Sequence, residues 1–208
     1  MSPSSRPKRI HPTRAKLIAT VVELRQTHRP EEISVEQVLD LSGISRGSLY
    51  HHFEDFFDLI EAAELLRFTE YVDLSIEKLS AVVQGAQSAD DVRTGLRKAT
   101  RATQNATLEP LRFDRIGAIT RADSSPRFRQ ALGLEQDRLT TALQELIEHA
   151  QANGWFRSDL DARAISVLIQ AYTLGRIVDD ISPTKIEPEA WNLLIDAVVE
   201  SALMGMSN

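Results

Sequence analysis

The stretch from residue 34 to residue 53 limits the fold of this chain most, because it is typical of two short helices joined by a tight turn. Ser34 and Gln37 have the spacing of a capping box, in which the two side chains satisfy backbone N–H groups at a helix start. Gly43 can adopt a positive φ, so it can end that helix and turn the chain. Ser45 then caps a second helix. The pattern predicts a helix-turn-helix unit.

The second of these helices is predicted to present a small polar face. Leu49 and Phe53, four residues apart, anchor it inward. Gly47 and Ser48 keep its outer face small enough for a DNA major groove about 12 Å wide. Arg46 can bind guanine or phosphate, and the neighbouring hydroxyl groups can donate to phosphates. The predicted DNA-binding residues of the two helices are Ser34, Ser45, Arg46, Gly47, Ser48, Tyr50, His51 and His52.

Charge is distributed unevenly along the chain, whose net charge is −6. Residues 1 to 53 contain eight Lys and Arg against five Asp and Glu, a net charge of +3, and residues 54 to 208 contain 16 against 25, a net charge of −9. Because DNA responds to the local field, an acidic chain with a basic N-terminal part remains compatible with DNA binding.

The first twelve residues are rich in Ser, Pro and basic side chains, which is typical of a disordered arm. We expect Arg6, Lys8 and Arg9 to contact the DNA backbone or minor groove. A solubilising tail without a partner is the alternative interpretation of the same composition.

The residues at positions 42 to 53, Ser-Gly-Ile-Ser-Arg-Gly-Ser-Leu-Tyr-His-His-Phe, resemble the helix-turn-helix signature of the tetracycline-repressor (TetR) family of bacterial regulators. That signature reads small-Gly-Val/Ile-Ser-x-Gly-x-Leu-Tyr-x-His-Phe. The matched positions are Gly43, Ile44, Ser45, Gly47, Leu49, Tyr50, His52 and Phe53. The resemblance covers roughly residues 13 to 60, and beyond them only the length and the helical rhythm support it.

The resemblance implies an all-α homodimer with three N-terminal helices on operator DNA and C-terminal helices that bind an effector and the second subunit. The expected division is a basic arm over 1–12, a DNA-binding domain over 13–57 and an effector-binding and dimerisation domain over 58–208. Two positions depart from the family pattern. Leu39 stands where a small residue is common, and Phe56 stands where many members have a phosphate-binding Lys.

Helical periodicity continues through the rest of the chain, and no segment alternates as a strand would. We predict about nine helices. The seven that lie outside the helix-turn-helix pair are expected at about 13–26, 54–83, 89–106, 111–121, 126–153, 162–181 and from 188 to Gly205.

The last two predicted helices are apolar nearly all round, so they should be buried on more than one side. A second subunit is the expected cover, and a well-buried monomer core is the alternative. The predicted interface comprises Ile165, Leu168, Ile169, Trp191, Leu194, Ile195, Val198 and Ala202. A second apolar set on the same helices comprises Val167, Ala171, Leu174, Val178, Leu193, Ala197 and Val199.

The effector that the family resemblance implies is not identified by the sequence. Candidate contacts are Phe113, Phe128, Trp155, Gln170 and Tyr172, although residues of these types are more often ordinary core than ligand contacts. Five arginines lie close together at Arg112, Arg115, Arg121, Arg127 and Arg129. Such a run is usually a solvated face, and the alternative is a site that favours an anionic effector.

Several classes of function are disfavoured by what the chain lacks. It has no Cys, no apolar run long enough to span a membrane, no secretion signal and no metal-binding His pair, Gly-x-Ser-x-Gly elbow or Gly-rich phosphate loop. We therefore expect a cytoplasmic protein that is not an enzyme and needs neither a cofactor nor a metal.

The predicted function is a ligand-responsive transcriptional regulator that binds a palindromic operator as a dimer and is released by a small-molecule effector. Repression is expected rather than activation. The alternative is a helical interaction protein of the same fold without DNA-binding activity, which Phe56 favours. Control is expected to pass along the fourth helix, with Phe56 and Phe57 supplying the packing at its start.

Overall fold

The computed structural model describes residues 11–201, and within them every regular element is helical. Ten α-helices follow one another along the chain: α1 Pro12–Leu24, α2 Val35–Ser42, α3 Arg46–His52, α4 Phe56–Gln84, α5 Ala89–Thr103, α6 Glu109–Ser124, α7 Pro126–Ala152, α8 Ala162–Gly175, α9 Ile177–Asp180 and α10 Pro188–Val199. Short 3-10 turns lie at Pro30–Glu32 and Ala106–Leu108. The predicted all-α fold is confirmed. The helix predicted over 162–181 is divided at Arg176 into α8 and the one-turn α9.

The chain forms two compact units, Met1–Thr69 and Glu70–Asn208. The division falls inside α4, twelve residues beyond the boundary expected at residue 57. It lies later because Leu59, Ile60 and Ala63 of α4 are buried in the core of the first unit.

The core of the first unit is apolar and is formed by α1, α2, α3 and the start of α4. Its buried residues are Leu17, Ile18, Val21, Leu24, Ile33, Val38, Leu49, Phe53, Leu59, Ile60 and Ala63. A buried ion pair accompanies it, in which Arg25 Nε lies 2.5 Å from Glu64 Oε1. The same guanidinium also donates to the carbonyl of His28, so it ties the end of α1 to α4.

The second unit contains the rest of α4 and the helices from α5 onward, and α7 packs against both α6 and α8. One of its cores comprises Val92, Ile147, Ala150, Phe156, Ala162 and Ile165. Gly95 allows a close approach of α5 to α4, since a Cβ there would lie 2.5 Å from Cγ1 of Val82. No helix within residues 11–201 combines the length and hydropathy needed to cross a bilayer.

Candidate nucleic-acid interface and sensor residues

The turn between α2 and α3 has the geometry that the sequence predicts. Ser34 Oγ accepts from the Gln37 N–H at 3.2 Å, and Gln37 Oε1 accepts from the Ser34 N–H at 2.8 Å, so both halves of the capping box form. Gly43 ends α2 with φ of 63°, in the left-handed region that glycine adopts without strain. Ser45 caps α3 by accepting from the Ser48 N–H at 3.3 Å. These local bonds fix the direction in which α3 leaves the turn.

The predicted reading face of α3 is open to solvent. Leu49 and Phe53 are buried beneath it. Ser34, Ser45, Arg46, Gly47 and His51 are exposed and Ser48 and His52 are half-buried. Tyr50 is 46% exposed. The side chains available to a partner are therefore the small and polar ones.

Arg46 forms an ion pair with Glu36 that the sequence did not predict. Arg46 Nη2 donates to Glu36 Oε1 at 2.6 Å, and both side chains are more than half exposed. The backbone of α2 and then Arg46 hold the pKa of the Glu36 carboxyl below its usual value, so Glu36 is charged at neutral pH. Contact of Arg46 with DNA, as predicted from the sequence, would have to exchange this carboxylate for a base or a phosphate.

Three histidines meet where α1 begins and α3 ends. The His52 ring lies 4.6 Å from the His11 ring and 5.1 Å from the His51 ring, measured between centroids. Partial burial lowers the pKa of the His52 imidazole, and His11, His51 and Arg14 lower it further. No group of three potential ligands among residues 11–201 is placed to hold a metal ion. The three histidines thus form a cluster in the first unit in which neighbouring charges lower the pKa of His52.

The start of α4 lacks the phosphate-binding Lys that the family resemblance implies. Phe56 packs partly buried against the first core. Asp58 Oδ2 accepts from the Glu54 N–H at 3.1 Å, and Asp55 Oδ1 accepts from the Asp58 N–H at 2.7 Å. Carboxylates thus occupy N–H groups at a helix start that would otherwise favour phosphate. Phe57 is 67% exposed, so it does not supply the packing expected of it at this junction.

The positive charge predicted near the DNA-binding face comes from the N-terminal arm. We call the first unit, Met1–Thr69, the reading unit. Residues 11 to 69 contain six Lys and Arg against ten Asp and Glu, a net charge of −4, and residues 1 to 10 add three basic residues and no acid. Arg6, Lys8 and Arg9 lie outside the described residues. The local positive charge predicted for residues 1 to 53 therefore comes from the arm, since residues 11 to 53 contain five of each sign.

The predicted aromatic effector residues lie in different surroundings of the second unit. Phe113 is exposed and Phe128 is buried. Trp155 packs partly buried against the second core, where its ring meets His149 edge to face at 6.0 Å. None of the described ring contacts within residues 11–201 joins two of these three aromatic side chains.

The two polar effector candidates are already hydrogen-bonded within the chain. Gln170 Nε2 donates to Thr140 Oγ1 at 3.1 Å, and the Tyr172 hydroxyl lies 3.0 Å from Thr100 Oγ1. Burial raises the pKa of the Tyr172 phenol, and the charge of Asp196 raises it further, so the phenol remains protonated at neutral pH. A ligand that used either residue would replace an existing hydrogen bond.

The predicted dimer residues divide into a buried and an exposed group. Ile165 and Ile195 are buried within the single chain, so they cannot form a surface for a second subunit. Leu168 and Leu194 are exposed, Ile169, Trp191 and Val198 are half-buried, and Ala202 lies outside the described residues. Among the two predicted apolar sets of these helices, the exposed side chains are Val167, Leu168, Ala171, Val178, Leu193, Leu194 and Ala197. They come mostly from the second apolar set, which the sequence could not rank against the first.

Several solved structures share this architecture. GusR of Salmonella enterica is 18% identical with a TM-score of 0.67, and the match covers 94% of this chain and 97% of that chain. A TetR-family transcriptional regulator from Mesorhizobium loti is 14% identical with a TM-score of 0.66, covering 94% and 96%. A transcriptional regulator from Saccharomonospora viridis, solved in complex with choline, is 17% identical with a TM-score of 0.66, covering 91% and 96%.

These structural likenesses extend over nearly the whole chain, and at such low identity they establish its fold. The chain has the fold of TetR-family transcriptional regulators, as the residues of α2 and α3 predict. No family model matches the sequence. No curated protein matches it either.

Proposed function

We propose that this protein is a ligand-responsive transcriptional regulator that binds a palindromic DNA operator as a homodimer. The observation that carries the proposal is the exposed small polar face of α3, set by the capped turn at Gly43 within a regulator fold. Arg46, Ser48 and Tyr50 would contact bases and phosphates, with Ser34 and Ser45 at the helix starts. Repression is the expected outcome, because a bound dimer occludes the DNA beneath it.

The test is a gel shift with the DNA that flanks the protein's own gene, comparing Arg46→Ala and Tyr50→Phe with the wild type. A good base contact contributes about 1–3 kcal/mol, so Arg46→Ala should weaken binding roughly tenfold or more. Arg129→Ala is a matched control, since Arg129 is also exposed and paired with a carboxylate, Asp123 at 2.8 Å. Unchanged binding by both α3 variants would remove α3 from the interface.

The domain proposed over residues 58–208 would bind the effector and the second subunit. The exposed apolar side chains of α8 and α10 support a two-fold interface between copies of the chain. The regulator from Saccharomonospora viridis, which shares this fold, was solved in complex with choline, and this supports the proposal of a small-molecule effector for this chain. Effector binding would lower DNA affinity by favouring a state in which the two reading helices no longer fit successive major grooves.

The second candidate function is a helical interaction protein of this fold without DNA-binding activity. It is favoured by Phe56 and by the carboxylates of Asp55 and Asp58 at the start of α4. The two candidates differ at low salt, where electrostatic DNA binding is strongest. Absence of any DNA complex at low salt would support the second candidate.

A further inference from the structure

Four arginines are buried within residues 11–201: Arg25, Arg112, Arg115 and Arg176. Three of them have a carboxylate partner. Arg25 pairs with Glu64 at 2.5 Å, Arg112 with Asp180 at 2.5 Å and Arg176 with Asp179 at 3.1 Å. Buried guanidinium groups in this chain are therefore normally neutralised by an acid.

Arg115 is the exception in the described part of the chain. It lies on α6 and is 7% exposed, yet no carboxylate within residues 11–201 pairs with it. Its Nη1 donates to the Tyr71 hydroxyl at 3.0 Å, and its Cζ lies 4.6 Å from the centre of the Tyr71 ring. Its Nε is buried and has no hydrogen-bond acceptor. Within the described residues, the buried Arg115 guanidinium is thus partnered by the phenol of Tyr71 and not by a carboxylate.

A buried cation is costly unless an opposite charge and hydrogen-bond acceptors accompany it. Arg112, one turn earlier on α6, has both, because Asp180 receives bonds from Nε and Nη2 and the carbonyls of Thr103 and Asn105 receive bonds from Nη1. The same helix therefore contains one satisfied arginine and one whose charge and Nε are unsatisfied. Within residues 11–201, Arg115 therefore lacks the anionic partner that Arg112 has.

We propose that Arg115 is the anchor of the effector site and that the effector is an organic carboxylate. This inference rests on the proposed regulatory function and names the ligand class for it. A carboxylate fits because a guanidinium can donate two parallel bonds to its oxygens, and Nε is one of the two donors that such a pair uses. A single positive charge matches a monoanion, since Arg112 is already neutralised by Asp180.

The first arm of the test needs no ligand. Arg115→Met removes an uncompensated charge and keeps most of the side-chain volume, so its midpoint of thermal unfolding should equal or exceed that of the wild type. Arg112→Met is the matched control, because it leaves Asp180 buried without its partner and should unfold at a lower temperature. If Arg115→Met is destabilised as much as Arg112→Met, Arg115 is a structural residue and the proposal is wrong.

The second arm measures unfolding of the full chain with sodium hexanoate and sodium benzoate, at constant ionic strength, against hexanol and benzyl alcohol. At saturating concentrations the carboxylates should raise the unfolding midpoint of the wild type by about 3–6 °C for each tenfold increase in concentration. They should have little effect on Arg115→Met, and the alcohols should act equally on both proteins. Equal carboxylate shifts in the two proteins, or no shift in either, would overturn the proposal.

The thermal measurement contains no DNA, so it separates the two proposals. Carboxylate stabilisation that depends on Arg115, together with no DNA binding by the wild type, would retain the anion site and reject the regulatory function. DNA binding by the wild type without carboxylate stabilisation would retain the regulatory function and reject the anion site at Arg115.

Discussion

Gly47 is a residue at which folding and the proposed DNA binding make different demands. It is exposed near the start of α3, and a Cβ built there has no atom within 4 Å. The chain itself therefore does not require glycine at this position. The proposed docking of α3 in a DNA groove would require it, because a larger side chain would keep the helix away from the bases.

We expect Gly47→Leu to fold normally and to lose DNA binding. Replacing a helical glycine removes backbone freedom from the unfolded chain, so stability should stay constant or rise by up to about 1 kcal/mol. DNA affinity should fall at least roughly tenfold, equivalent to about 1.4 kcal/mol. Thermal unfolding and gel shifts measure the two effects. Gly133→Leu on α7, where a Cβ also has open space, is the control that should bind DNA normally.

We expect His52 to make the stability of the first unit depend on pH. Its folded pKa lies below the unfolded value, because partial burial and then His11, His51 and Arg14 disfavour its charge. The folded state thus binds fewer protons, so this contribution to stability is present above about pH 6.5 and is lost as the pH falls through the lowered value. The unfolding free energy should decline below about pH 6.5 less steeply in His52→Asn than in the wild type. Identical pH profiles would exclude this role.

At the scale of elements, the sequence predicts the helix caps and turns that depend on residues close together in the chain. The capping box of Ser34 and Gln37 and the positive φ of Gly43 depend on neighbours within a few residues, so they are recognisable without a structure. The break at Arg176 is not, since α8 and α9 carry an uninterrupted helical pattern. Arg112 and Asp180 are 68 residues apart in the chain, so no sequence feature near either residue predicts that they pair.

The N-terminal arm is the element on which the electrostatics of DNA binding should depend. Deleting residues 2 to 11 removes Arg6, Lys8 and Arg9, and the remaining reading unit is acidic. If these cations contact phosphates, the slope of log affinity against log salt should fall by about 0.9 for each lost contact. Deleting residues 2 to 5, which contain no charge, is the matched control. An unchanged slope in the longer deletion would mean that the arm does not touch DNA.

At the scale of the whole molecule, the sequence predicted the all-α fold but not which apolar face of α8 and α10 is exposed. Both faces of the last helices are apolar in sequence, so periodicity alone could not tell which face the chain buries. The structure buries Ile165 and Ile195 and leaves Leu168, Leu193 and Leu194 exposed. The choice between the faces depends on packing against the other helices, which only the three-dimensional arrangement reveals.

The exposed face should be the dimer interface, and Leu193→Glu should disrupt it. A two-fold interface would bring two new carboxylates close together, so dimer affinity should fall by about a hundredfold or more. Sedimentation velocity over a range of concentrations measures the change. Leu134→Glu on α7, where the native leucine is 68% exposed, is the control expected to remain dimeric. A wild type that stays monomeric at high concentration would exclude this interface.

The acidic reading unit also has a consequence for how quickly the protein finds and leaves a site. Attachment to random DNA is almost entirely electrostatic, and here three cations of the arm oppose a net charge of −4 over residues 11 to 69. If the proposed DNA binding holds, such a protein would bind non-specific sequence weakly, so it would slide only over short distances and search mainly by repeated encounters from solution. Its residence time at an operator would then depend on the contacts of α3 with the bases. An effector that weakened those contacts would leave little electrostatic attraction to hold the protein on DNA, so the response to the signal would be limited by dissociation.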